Sequence, residues 1–216
     1  MGGLARALLE LVAPSVCPAC DAPRRARDAL LCHPCASRVR RLERLRGVHT
    51  AIAYEGTGLE LVRRFKFDGR RDARELLVAW LLERVRPLAF DVIVPLPRHV
   101  ARVRSEGCDP VHELAKQLAR ATGAALAERA LRRARPTPPQ TGLSLAARRG
   151  NVAGSFAAQP GTLAGRRVLL LDDVATTGAT LAEAARALRR ASGAKRITLA
   201  AVAATPAMET GSAAVL

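Results

Sequence analysis

Aromatic side chains are scarce in this chain of 216 residues: one Trp, one Tyr and four Phe, 3% of the total. A protein that grips single-stranded nucleic acid by base stacking needs a row of aromatic platforms, and few are available here. Lysine is scarcer still, with only Lys66, Lys116 and Lys195. No apolar run approaches the ~20 residues of a membrane-spanning helix, so no membrane insertion is expected. The opening stretch MGGLARALLELVAPSVC is broken by Arg6 and Glu10, and Leu4, Leu8 and Leu11 fall on one helical face. An amphipathic helix is expected there rather than a signal peptide, and a cytoplasmic protein with it.

What the chain has in excess is arginine. Lys and Arg number 35 against 19 Asp and Glu, a formal charge of +16. The surplus is spread out, +5 in residues 1–50, +8 in 51–150 and +3 in 151–216. With abundant alanine, this is the composition a GC-rich coding sequence gives. It implies affinity for polyanions without marking a dedicated nucleic-acid site.

Four of the five cysteines form two knuckles, CPAC (Cys17, Cys20) and CHPC (Cys32, Cys35). Each tight turn aims two sulfurs at one point, and two such turns complete a tetrahedron, so a structural zinc ion held by four thiolates is expected. A disulfide pair or a redox dithiol is the competing account; a cytoplasmic setting disfavours the first, and the second has no need of duplication. His33 is expected to be a solvated turn residue and Cys108 a small packed one.

After the knuckles, ASRVRRLERLR reads as a short basic helix, VHTAIAY (48–54) as a strand and GLELVRRFKFDGR as a helix. Residues 72–86 form an amphipathic helix, 90–97 a buried strand entering a proline-bounded loop, and 109–123 a helix with Asp109 as N-cap, Pro110 at its first position and Gly123 at its end. AALAERAL reads as a short strand. Residues 132–152 carry no apolar period and have the length of a functional lid or a disordered loop. A strand at 167–172, a helix at 179–191 and a strand at 196–203 follow. Strands alternating with helices imply an α/β fold with a mainly parallel sheet and a ligand site at the carboxyl ends of its strands. The expected division is a cysteine module over 1–46, a main domain over 47–204 and a frayed tail over 205–216.

The segment LLLDDVATTGAT (169–180) sits where such a site belongs. Two adjacent carboxylates, Asp172 and Asp173, end an apolar run in a basic chain, an arrangement that repulsion and desolvation disfavour unless something outside the chain binds them. The loop Ala175, Thr176, Thr177, Gly178, Ala179, Thr180 supplies backbone N–H groups, three hydroxyls and a helix N-terminus, a cradle for one phosphate. The acids are placed to accept from vicinal sugar hydroxyls. No Gly-x-x-x-x-Gly-Lys spacing is present, which argues against a P-loop ATPase.

This stretch resembles the ribose-5-phosphate motif of the type I phosphoribosyltransferases, enzymes that bind phosphoribosyl pyrophosphate (PRPP) with Mg²⁺. The paired knuckles, YEGTGLELVRRFKFDG, DVIVPLP, Gln140 with Leu143, RRGN and the Asp-Asp motif, in that order, are similar to the ComF family. That resemblance implies a type I phosphoribosyltransferase fold behind a small N-terminal zinc ribbon, and a tie to competence, the uptake of DNA. It also implies that Asp172 and Asp173 hold the ribose hydroxyls as the catalytic pair, that Ala175 to Thr180 hold the 5-phosphate, that Leu96, Pro97 and Arg98 flank the pyrophosphate, and that Arg148 arrives with the 132–152 loop. Where the family carries an arginine ahead of the central helix, this chain has Glu106: either that arginine's job is structural, or Arg102 or Arg104 substitutes for it, or pyrophosphate binding is weakened. His99 and His112 are expected to be packed or surface residues. A second function class remains open, a non-catalytic adaptor handling single-stranded DNA with a DNA-uptake translocase, its motivating patch being RRFKF (Arg63, Arg64, Lys66). Regulation of transcription ranks last, since no helix-turn-helix spacing stands out.

Overall fold

The computed structural model describes residues 15–24, 30–98, 109–134 and 154–206. The expected N-terminal helix, the C-terminal tail from residue 207 on, His99, Arg102, Arg104, Glu106, Cys108, Gln140, Leu143 and Arg148 lie outside them. Among the described residues no helix is long and apolar enough to cross a membrane.

In chain order the elements are α1 (His33–Ser37), β1 (Arg44–Leu45), β2 (Val48–Ala53), α2 (Gly56–Phe67), α3 (Arg71–Val85), β3 (Val92–Pro95), α4 (Pro110–Thr122), β4 (Ala125–Leu126), β5 (Leu131–Arg133), β6 (Phe156–Ala158), β7 (Arg167–Ala175), α5 (Ala179–Ala191) and β8 (Arg196–Ala204). Six strands form one sheet in the order β1-β2-β8-β7-β3-β4. Every pairing in it is parallel except β1 with β2. β5 and β6 form a separate antiparallel hairpin. The apolar strands are buried because helices cover both faces, as a parallel sheet requires.

Alternation along β7 sorts its side chains between two layers. Leu169 and Leu171 pack with Leu61, Val62 and Phe65 of α2, Leu77 and Leu81 of α3 and Leu114 of α4. Val168 and Leu170 pack with Leu181 and Leu188 of α5, and with Leu131 and Phe156 of the hairpin. The cysteine module shares the first layer, where Cys17, Ala19, Leu31 and Cys32 are buried.

The helix over 109–123 forms as its ends dictate. Asp109 accepts from the N–H groups of Val111 and His112, and Gly123 takes the left-handed conformation that closes it. Two expectations need correction. The stretch after the second knuckle is not a basic helix: α1 stops at Ser37, and residues 40–45 run antiparallel along β2, with Leu42 N–H bonding Ala51 O and Ala53 N–H bonding Arg40 O. A two-residue turn at Arg46 and Gly47, both at positive φ, folds the segment back. Satisfying the open edge of β2 outweighs the weak helical preference of a short arginine-rich run. The acid-pair strand is also longer than expected. It runs through Asp172 and Asp173 to Ala175, because β8 pairs with it as far as Ala204.

Candidate functional site

Asp172 and Asp173 lie near the carboxyl end of β7, and the chain turns over them into α5. Gly178 sits at φ 73° as the N-cap residue, a conformation that favours glycine, and the Ala179 N–H bonds Thr177 Oγ1 at 3.3 Å. The turn from Ala175 to Thr180 therefore stands at the positive end of a 13-residue helix. Thr176 is exposed, and Thr177 to Thr180 are partly so.

Because β7 alternates, the two acids fall on opposite faces. Asp173 points into the α2 layer and is 7% exposed. Its Oδ2 lies 2.8 Å from Nζ of Lys66, near the end of α2. Asp172 belongs to the layer of α5 and the hairpin. Protein surrounds it on most sides, although water still reaches part of it. Burial, then the charge on Asp173, pushes its carboxyl up to about 7; the Asp173 N–H that it accepts at 2.8 Å and the fields of Lys66 and Arg133 only partly oppose this. The pair thus carries an electrostatic cost that the fold does not remove.

Arg133, on β5, is the second cation that sequence reasoning missed. Its Nε donates to the Pro97 carbonyl at 3.0 Å, and its guanidinium stands 5.1 Å from the centre of the Phe156 ring. It joins the hairpin to the Leu96–Arg98 segment, which itself leaves β3 beside β7, with the Leu96 N–H on Leu171 O at 2.8 Å. Below that segment is an open cavity of about 290 Å³ lined by Leu96, Pro97, Arg98, Asp109, His112 and Glu128. His112 is a surface-paired residue, with Nε2 2.6 Å from Glu128 Oε1. A larger cavity, about 570 Å³, opens at the far end of the sheet between Arg86, Phe90, Asp91 and Arg166. It has neither acid pair nor phosphate turn, so volume alone does not locate the chemistry.

The hairpin is also held from α5. Glu183 is 3% exposed; it accepts the Gly154 N–H at 2.8 Å and Arg186 Nε at 2.7 Å. Burial works against its ionisation, but these bonds win and hold it below the usual glutamate range.

RRFKF does not form a continuous basic face. Phe65 is buried and Lys66 turns inward, while Arg64 pairs with Asp21. Arg63 and Phe67 remain exposed.

The four cysteines converge: Cys17, Cys20, Cys32 and Cys35 place their sulfurs within 4.8 Å of one another, and Cys20 Sγ lies 3.7 Å from Cys32 Sγ. Zinc–sulfur bonds of about 2.3 Å set sulfurs at tetrahedral corners about 3.8 Å apart, so the cluster fits a metal ion such as zinc. No disulfide joins them. Asp21, which follows the first knuckle at φ 59°, ion-pairs with both Arg64 of α2 and Arg70 before α3. These bonds hold its carboxyl below the usual range, Arg70 contributing most and Arg64 next. The cysteine module is thereby tied to the α2–α3 corner.

The Phosphoribosyl transferase domain family matches residues 83–212. Competence protein F of Haemophilus influenzae is 34% identical over 139 residues, 60% of this chain and 61% of that protein, so the match spans less than two thirds of the relative's length. DNA utilization protein YhgH of Salmonella typhi is 30% identical over 193 residues, 86% of this chain and 82% of that one. Among solved structures, a purine phosphoribosyltransferase from Pyrococcus horikoshii aligns over 63% of this chain and 76% of its own, at 22% identity and a TM-score of 0.41.

Proposed function

The chain belongs to the ComF family of phosphoribosyltransferase-like proteins, and on that footing we propose that it binds PRPP with Mg²⁺ at the end of β7, transfers the phosphoribosyl group with release of pyrophosphate, and serves DNA uptake from the cytoplasm. The observation that carries this is Asp172. Its carboxyl is held up to about 7 by burial and by Asp173, directly beneath a turn built for a phosphate. A sugar diol supplies the hydroxyl donors that the fold leaves out, and the phosphate on the same sugar meets the helix N-terminus.

In this site Asp172 and Asp173 accept from the ribose hydroxyls and hold the ring. The N–H groups from Ala175 to Thr180, with the hydroxyls of Thr176, Thr177 and Thr180, take the 5-phosphate. Leu96, Pro97 and Arg98 flank the pyrophosphate, and the family resemblance names Arg148 as a further cation for it. Carboxylate and hydroxyl oxygens are the donor chemistry of a hard cation, and Mg²⁺ accompanying the substrate supplies neutralisation of the leaving group. An acceptor nitrogen forms its bond to C1 as the C1–O bond to pyrophosphate breaks, the electron pair leaving with pyrophosphate. The residues need only orient the sugar and exclude water, so no catalytic histidine is required. The four cysteines hold a structural zinc ion. The part in DNA uptake rests on the names of the relatives. A non-catalytic, single-stranded-DNA-handling role, alone or with a translocase, draws on the same names and on the charge of +16.

Calorimetric titration of the zinc-loaded protein with PRPP and Mg²⁺ tests the proposal. Micromolar binding that is lost in Asp172→Asn/Asp173→Asn is expected. Wild-type protein that binds no PRPP refutes it and moves the DNA-handling role to the front.

A further inference from the structure

The acid pair has a partner that neither its motif nor the cradle accounts for. Lys66 Nζ and Asp173 Oδ2 are 2.8 Å apart, with the two side chains only 14% and 10% exposed. A surface ion pair is a weak interaction, but here little water screens it, and both groups have given up most of their hydration. An apolar residue at position 66 would pack against Phe65 and Val62 without that cost, were Asp173 not there to be served.

We infer that Lys66 is a positioning residue of the ribose site, one that keeps Asp173 as the charged acceptor of the pair and fixes the direction of its free oxygen. The inference rests on the ribose-phosphate assignment above. Although they fall on opposite faces of β7, the two adjacent carboxyls feel each other's charge, and either one protonated would meet its sugar hydroxyl with an O–H instead of an acceptor. A cation bonded to one member breaks that symmetry. Among the described residues the charged groups facing the pair are Lys66 from α2 and Arg133 from β5. The neighbouring strand β8 presents Ala201 and Ala203 at this level, which carry no charge. The ammonium therefore holds one oxygen of Asp173 and sets the direction of the other, while on the opposite face burial raises the carboxyl of Asp172.

The position of Lys66 is itself fixed from outside the site. Arg64, two residues earlier, and Arg70, four residues later, both bond Asp21 of the cysteine module. Arg70 also holds Asp72 at 2.7 Å. The end of α2 is thus clamped on both sides of Lys66 rather than left to fray.

Three probes separate this from a merely structural countercharge: PRPP, ribose 5-phosphate and inorganic pyrophosphate, each titrated with Mg²⁺ into zinc-loaded wild type, Lys66→Met and Lys66→Arg. Lys66→Met is expected to lose at least tenfold in affinity for PRPP and for ribose 5-phosphate alike at pH 7, and to bind pyrophosphate as wild type does. Lys66→Arg, which restores the charge, should recover much of the loss. Unchanged ribose 5-phosphate binding in Lys66→Met overturns the inference; so does a loss confined to pyrophosphate, or a loss that Lys66→Arg leaves intact. Wild type that binds neither PRPP nor ribose 5-phosphate refutes the function itself, and Lys66 is then judged by carboxyl-carbon NMR. An upward move in the Asp173 titration in Lys66→Met upholds its control of that acid, and an unmoved one ends it.

Discussion

Replacing Asp172 by Asn should make the ligand-free protein more stable at alkaline pH while abolishing its ribose-phosphate affinity. The Asp172 carboxyl moves from 3.8 to about 7 on folding, burial contributing most and the Asp173 charge next. A carboxyl raised in this way supports the fold fully below its unfolded value and withdraws that support as pH climbs to its folded value. The window is therefore from about pH 4 to about pH 7, and the loss is complete above it. At 1.36 kcal/mol for each pK step the full cost is about 4 kcal/mol, and about 2–4 kcal/mol once the water that reaches the side chain is allowed for. Asn keeps the shape, and its Oδ1 still accepts the Asp173 N–H, a bond of 2.8 Å in the parent. The assay is denaturant unfolding of metal-loaded wild type and Asp172→Asn without ligand, at pH 5 and pH 8.5. Every other titrating group is common to both proteins, so the difference between them isolates this one together with its coupling to Asp173. An Asn advantage of about 1 kcal/mol at pH 5, where over a third of the cost is already incurred, growing to a few kcal/mol at pH 8.5, is expected. An Asn protein no more stable than wild type at pH 8.5 would show that Asp172 is already satisfied without a ligand, and the electrostatic argument for the site would fall with it.

Two further outcomes follow from the packing. The cysteine cluster is expected to carry one zinc ion per chain by elemental analysis, and Cys17→Ser or Cys32→Ser, both buried positions, should bind it more weakly and melt several degrees lower; full-strength unfolding resistance after chelation would refute a structural metal. Gly58→Ala should cost about 3 kcal/mol or more by denaturant unfolding, as overpacking against backbone does, because a Cβ there would stand 2.2 Å from the Ala53 carbonyl oxygen; a neutral effect would mean that α2 is free to ride away from β2.

The acid pair and its turn were legible because they are contiguous. Strand, loop and helix N-terminus are adjacent in the chain, so spacing alone gives their geometry, and the cysteine knuckles are legible for the same reason. Lys66 and Arg133 were not, since their link to the pair is made by topology: the order β2-β8-β7-β3 brings α2 over one face of β7 while the hairpin covers the other. A signal for Lys66 was present all the same. Gly58 and Val62 are buried in α2 at four-residue spacing, and Lys66 is the next position on that stripe, so periodicity alone assigns it to the inner face. Read as part of RRFKF it looked like surface charge, because a run of cations draws attention to composition and away from phase. Arginine counts are a poor guide in so basic a chain; a lysine on an apolar stripe is a better one, since a compact ammonium is kept inside only opposite an anion. The error over residues 36–46 has the same origin. Their arginines suit a helix, but the open edge of β2 and a left-handed Arg46–Gly47 turn are facts about the partner and the backbone, and neither is written in the segment's own pattern. In this fold, what a residue does was readable where its partners are neighbours in sequence, and it had to be found in space where the sheet supplies them.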